Sequence, residues 1–167
     1  MSVGGKTNQN TYAVEVRLRP DYPDAEGANA LALLSSVGLA AAKDVRVARV
    51  YQMRGAVNLA HAQQAARELL CDPVTQEFKM LTPTGAVLNG MTHWRVEVWL
   101  KPSVIDPVGD SVREAMSDLG LPAPEAVRVG TVYQIAGKCG RNQLEKAVAR
   151  VLANPVIHHF TVSEAHP

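Results

Sequence analysis

The sequence predicts an α+β protein in which two tandem β-α-β-α-β repeats form one two-layer body with pseudo-twofold symmetry. Three observations carry that prediction. Displaced on itself by 82 residues, the chain matches without a gap, and 23 of the 68 positions from Tyr12 to Lys79 are identical to their partners, far beyond chance. Within each copy, short runs alternate apolar and polar residues as half-buried strands do. Between those runs, apolar residues recur three and four positions apart, as on one face of a helix.

The elements follow in order, and the second copy shows them best. In its first strand Trp94, Val96, Val98 and Leu100 face one way, and Arg95, Glu97, Trp99 and Lys101 the other. The first helix starts at Asp106, a good N-cap, with Pro107 at the favoured first helical position. Val108, Val112, Ala115, Met116 and Leu119 form its apolar stripe, and Gly120 sits where a left-handed residue is wanted at the helix end. The second strand is VRVGTVYQIA, with Val127, Val129, Tyr133 and Ile135 on one side. A second helix begins near Asn142 and buries Leu144, Ala147, Val148, Val151 and Leu152. It ends before Asn154-Pro155, because a proline ring disfavours helix in the residue before it. The run VIHHFTV closes the unit, and the first copy carries the same second-helix stripe in Ala62, Ala65, Ala66, Leu69 and Leu70.

The expected organisation is therefore a disordered N-terminus over 1–10, a first repeat over 11–81, a linker over 82–93 and a second repeat over 94–163. The linker is assigned by its Pro, Gly and Thr content. A unit of about 70 residues is marginal alone, and two helices on one side of three strands leave a sheet face bare. The copies are expected to cover each other within the chain, in the manner of a homodimer.

Composition narrows the function classes. Of the 167 residues 47% are hydrophobic and 20% charged, which is globular, and the formal net charge is +1. Division after residue 82 gives 9 Lys/Arg against 8 Asp/Glu, then 8 against 8. Neither half has the basic excess of a nucleic-acid binder. No apolar run is long enough to span a membrane, and the polar start MSVGGKTNQN lacks the apolar centre of a signal peptide. Cys71 and Cys139 are far apart and make no CxxC pair, so a cytoplasmic protein with two unremarkable thiols is expected.

The segment LKPSVIDPVG, residues 100–109, is the first candidate for chemistry. Asp106 could act as a general acid or base, and Lys101 could contact a phosphate. Against this, LRPDYPDAEG at 18–27 repeats Pro20, Asp24 and Gly27 at the positions of Pro102, Asp106 and Gly109. A scaffold motif persists in both copies more readily than catalytic machinery does, so a helix-entry turn is the favoured reading. AGKCGR at 136–141 fails as a phosphate loop, because six residues separate Gly130 from Gly137 and Cys139 follows Lys138. His158 and His159 are adjacent in a strand and point to opposite faces, which does not suit a shared metal. No arrangement demands an enzyme. Trp99 stands on an otherwise polar strand face, as a partner surface or as a residue the other repeat covers. Arg46 and Arg128, each flanked by valines, suit an interface or a buried ion pair.

The second copy, from RVEVWLKPSVIDPVGDSV through VRVGTVYQI to LANPVIHHFTV, resembles the PurS family. The family pattern K-P-x-x-x-D-P-x-G falls on Lys101, Pro102, Asp106, Pro107 and Gly109; R-V-G falls on Arg128, Val129 and Gly130; and L-x-N-P-V-I falls on Leu152, Asn154, Pro155, Val156 and Ile157. The first copy departs from it at Arg19, Ala25, Ala48 and Asp72. Where the family often has Lys after the R-V-G glycine, this chain has Thr131 and Arg49. The resemblance implies a fused form of the PurS dimer, acting as the small, non-catalytic subunit or N-terminal domain of phosphoribosylformylglycinamidine synthase in purine synthesis. It further implies that this chain binds no cofactor, while ATP and Mg lie on the large synthetase subunit. That subunit and a glutaminase subunit would be its partners, bridged for ammonia transfer. The rival from another class is a paired ferredoxin-like module that binds a small regulatory ligand.

Overall fold

Strand β1, Asn10–Leu18, forms because Val14 and Val16 alternate with Glu15 and Arg17, giving one apolar and one polar face. It pairs antiparallel with the long β2, Ala42–Gly55, and on its other side with β3, Gln76–Leu81. The second repeat gives β4 (His93–Leu100), β5 (Ala126–Gly137) and β6 (His158–Ala165), paired in the same registers shifted by 82 residues. These elements belong to a computed structural model that describes residues 10–81 and 93–165. The expected N-terminal segment, except Asn10, and the expected linker, except His93, lie outside the described residues.

The repeats join along β2 and β5, so all six strands form one antiparallel sheet in the order β3-β1-β2-β5-β4-β6. Arg49 of β2 pairs with Thr131 of β5, and these positions are equivalent in the duplication. The pseudo-twofold axis passes between them. The copies therefore cover each other not face to face, as expected from the bare sheet face, but edge to edge. The central ladder satisfies the backbone groups that two isolated edges would expose.

Four helices lie on one face of this sheet. They are α1 (Ala25–Ser36), α2 (Leu59–Ala65, continued by a π-helical turn over Ala66–Leu70), α3 (Pro107–Asp118) and α4 (Arg141–Val151). Helix α4 begins one residue before Asn142, behind Gly140, and β6 begins at His158 because Asn154–Ile157 form a turn. In that turn Ile157 and His158 both donate backbone N–H groups to the Asn154 carbonyl. Gly38 and Gly120 end α1 and α3 with φ of 92° and 78°, the left-handed geometry glycine adopts freely.

The helices cross the repeat boundary. Ala30 and Leu34 of α1 pack with Leu144, Ala147 and Val148 of α4, over Trp94, Val96 and Val98. Met116 of α3 packs with Ala62, Ala65 and Ala66 of the first repeat, over Val14 and Val16. Each apolar core is thus built from both repeats. Burying a Leu, Val or Met fully contributes about 1.5–3 kcal/mol, and Leu34, Leu144, Val148 and Met116 are all 0% exposed.

Candidate functional site

The residues that stood out in the sequence gather at the two ends of the sheet, one set per repeat. In the second repeat Asp106 caps α3: its Oδ1 accepts the Gly109 N–H at 2.9 Å. Its Oδ2 accepts the Val129 N–H of β5, also at 2.9 Å. One buried carboxylate, 6% exposed, therefore ties the helix start to the central strand. Gly109 allows that approach, since a Cβ there would lie 1.9 Å from the Val127 carbonyl oxygen. Arg128, on the opposite face of β5 from Val129, donates to the carbonyls of Leu100, Lys101 and Val104 at 2.7, 3.0 and 3.3 Å. Lys101 fixes the loop through its backbone, donating its N–H to Ile157 at 2.8 Å, and Pro102 is exposed beside it.

The first repeat builds the same device. Asp24 accepts from Gly27 at 2.8 Å and from Val47 at 2.7 Å, and a Cβ at Gly27 would lie 2.0 Å from the Val45 oxygen. Arg46 donates to the Tyr22 and Arg19 carbonyls at 3.3 and 3.4 Å, and its Nε is 4.0 Å from Asp24. Pro20 stands where Pro102 does, at the rim of a recess on the helix-free face. Both arginines clamp loop carbonyls, and Arg46 in addition stands at ion-pair distance from the buried Asp24. Asp106 has both oxygens engaged by backbone N–H groups, which is the geometry of a cap.

Trp99 lies over Gly130 of its own repeat, and packs against Ala48, Val50 and Val132 at the sheet centre. In the first repeat Arg17 replaces the indole and pairs with Glu77 at 2.8 Å, while Ala48 replaces the glycine. The indole and the glycine, and the arginine and the alanine, go together.

One cluster escaped the sequence reading. On the helix-free face Glu15 is 0% exposed, and its Oε1 accepts from Arg95 Nη1 at 2.7 Å. Lys79 Nζ stands 3.5 Å from Oε2, an ion-pair distance that lacks hydrogen-bond geometry, so Oε2 has no hydrogen-bond partner. Arg95 also lies 3.8 Å from Glu97, the duplicate of Glu15. The recurrence of Glu between two valines in both copies was the available signal.

The remaining candidates have local roles. His158 Nδ1 accepts the Asn154 N–H at 2.9 Å, and Gln76 Oε1 accepts the Asp72 N–H at 2.9 Å in the equivalent turn. The Asp72 carboxyl is held below its ordinary value by the Val74 and Thr75 N–H groups. Lys138–Gly140 form the loop between β5 and α4. Burial pushes the thiols of Cys71 and Cys139 up, the opposite of an activated nucleophile. Tyr51 and Tyr133 face the helices beside the axis; burial raises both phenols, and the nearby Arg49 charge opposes the shift. Among the described residues no three of His, Cys, Asp and Glu converge to hold a metal ion. No helix among them is long and apolar enough to cross a membrane.

Fold and loops define an internally duplicated α+β pseudo-dimer whose signature residues shape two equivalent ends. The family model described as "PurS: Phosphoribosylformylglycinamidine (FGAM) synthase" matches the chain twice, at 11–83 and at 93–165. The chain belongs to the PurS family. It is similar to phosphoribosylformylglycinamidine synthase subunit PurS of Synechocystis sp., 29% identical over 84 residues, which cover 47% of this chain and 84% of the relative. It is also similar to the B. subtilis PurS structure in a C2 crystal form, 28% identical with a TM-score of 0.41, covering 46% of this chain and all of that one.

Proposed function

We propose that this chain is an assembly subunit, or N-terminal domain, of phosphoribosylformylglycinamidine synthase, with no catalytic residues of its own. The observation that supports this best is the double family match, which gives one chain both halves of a PurS pair. In this reading it bridges the ATP-dependent synthetase and the glutaminase and supports ammonia transfer between them. ATP and Mg belong to the synthetase. The clamped loops at the two ends of the sheet suit that role, because they present rigid surfaces instead of a reactive group.

The test is reconstitution. The chain is mixed with the large and glutaminase subunits, and glutamine-dependent amidine formation is followed. The expected result is activity that requires this chain, while ammonia-dependent turnover by the large subunit depends on it much less. Equal glutamine-dependent activity with and without the chain would overturn the proposal.

A further inference from the structure

The two ends of the helix-free face have diverged. At the first-repeat end the recess beside Arg17, Pro20 and Gln134 holds only about 210 Å³. Its counterpart at the second-repeat end holds about 760 Å³ and is lined from both repeats, by Trp99, Arg128 and Thr161 and by Gln52 and Arg54. The linings differ as well. Trp99 stands where Arg17 is tied to Glu77, and Arg54 stands where the other end has Ala136.

The orientation of the indole is the informative feature. A Cβ at Gly130 would stand 2.7, 2.8 and 2.9 Å from Cε2, Cδ2 and Cε3 of Trp99. Three ring atoms equidistant from that point mean that the ring lies flat on the glycine, so its other face is turned away from the sheet, toward the recess. A half-buried, flat indole is a stacking platform for any aromatic ring. Two cationic side chains border the same space. Arg128 has donors spent on loop carbonyls and adds charge, whereas the exposed Arg54 can offer both charge and donors. Glu97 also borders the recess, but its carboxylate is 3.8 Å from Arg95. Trp99 pairs with Gly130 and Gly130 with Val50, so Arg54 lies two strands across the sheet from Trp99, about 10 Å, and four residues along it, about 13 Å, with both side chains lining the recess between them.

We propose that this recess binds a flat aromatic ring joined through a short spacer to an anionic group, the chemistry of a nucleoside monophosphate, at one site per chain. The ring stacks on Trp99 and the anion is held by Arg54, in the field of Arg128. The inference rests on the second-repeat geometry and is independent of the assembly role.

Calorimetry of the full chain with adenosine monophosphate, adenosine and inorganic phosphate tests it. The expected result is saturation by the monophosphate at one equivalent per chain, with adenosine and phosphate each at least about tenfold weaker. Trp99→Leu should weaken the monophosphate about tenfold or more, and the exposed Arg54→Ala should remove the advantage of the monophosphate over adenosine. Circular dichroism confirms that each variant is folded, and the Arg54 variant decides the matter if Trp99→Leu is not. No saturation up to about millimolar ligand, two equivalents per chain, or an Arg54→Ala variant that binds like the parent would each overturn the proposal.

Discussion

The Arg95 guanidinium on β4 meets the Glu15 carboxylate on β1 at 2.7 Å, with the two central strands lying between them. Three strand spacings amount to about 14 Å, so the two long side chains reach toward each other over the central strands to close the pair. Under this bridge Val50 and Val132 are 1% and 0% exposed, although no helix covers them. The charged pair, together with Trp99, Ala13 and Leu81, thus supplies the lid that a second repeat was expected to provide. A single arginine serves two duplicated glutamates, since the position equivalent to Arg95 is Ala13.

The two ends of that ion pair should respond unequally to mutation. Arg95→Met strands a fully buried carboxylate with only Lys79 nearby, and a broken buried pair costs about 3–5 kcal/mol. Glu15→Gln should cost less, because Arg95 keeps Glu97 within reach. Arg95→Met combined with Glu15→Leu should recover much of the loss. Urea midpoints of the three variants, compared at constant slope, read the order directly.

Asp106 and Asp24 are each predicted to matter more than an ordinary helix cap. A cap alone is worth about 1 kcal/mol, but each carboxylate also receives a strand N–H. Hydrogen bonds to a charged group contribute about 1.5–3 kcal/mol, so Asp106→Ala should destabilise by about 2–4 kcal/mol. Asp106→Asn, with one acceptor oxygen left, should fall between. A thermal melt in which alanine costs no more than a simple cap would leave the Val129 bond without weight.

The contrast between these two sites shows what the sequence made legible. Strand alternation and helix stripes are periodic signals carried by many residues, so the elements of both repeats and the Asp106 cap could be read directly. The second acceptor role of Asp106 could not, because it needs β5 to lie beside the start of α3. Arg46 and Arg128 gave a residue type and apolar neighbours, but their carbonyl partners are 24 to 28 positions away. Glu15 and Arg95, 80 residues apart, had no local sign of meeting. The crossing of helices between repeats is likewise a tertiary choice, since each stripe would suit its own strands equally well.

Alkaline pH should weaken the fold in a predictable direction. Burial raises the thiols of Cys71 and Cys139 and the phenols of Tyr51 and Tyr133. The unfolded chain then loses these protons at lower pH than the folded chain does. Their contribution to stability is complete below the ordinary thiol value of about 8.5, and it drains away as pH climbs through the raised thiol and then the raised phenol values. Urea midpoints should fall from pH 8 to pH 11 for this reason, and Tyr51→Phe with Tyr133→Phe should flatten the upper part of that fall. Arg49→Met should steepen it, because the arginine charge now restrains both phenols.

A break in the chain between residues 81 and 93 is predicted to leave the protein assembled. The two pieces share the β2–β5 ladder, and each apolar core takes one helix from either repeat. After cleavage the fragments should co-elute under native conditions and unfold together, with a midpoint that now rises with concentration, as association requires. Residues 10–81 alone retain α1 but lose Leu144, Ala147 and Val148, the α4 residues against which Ala30 and Leu34 pack. They also expose β2 along its whole length as an edge. That fragment should show little helical signal by circular dichroism as a monomer, and any folded form should be a dimer that uses a second copy in place of the missing repeat. A monomeric fragment with native helicity and a cooperative melt would mean that the first repeat carries a sufficient core, contrary to the crossed packing of the helices.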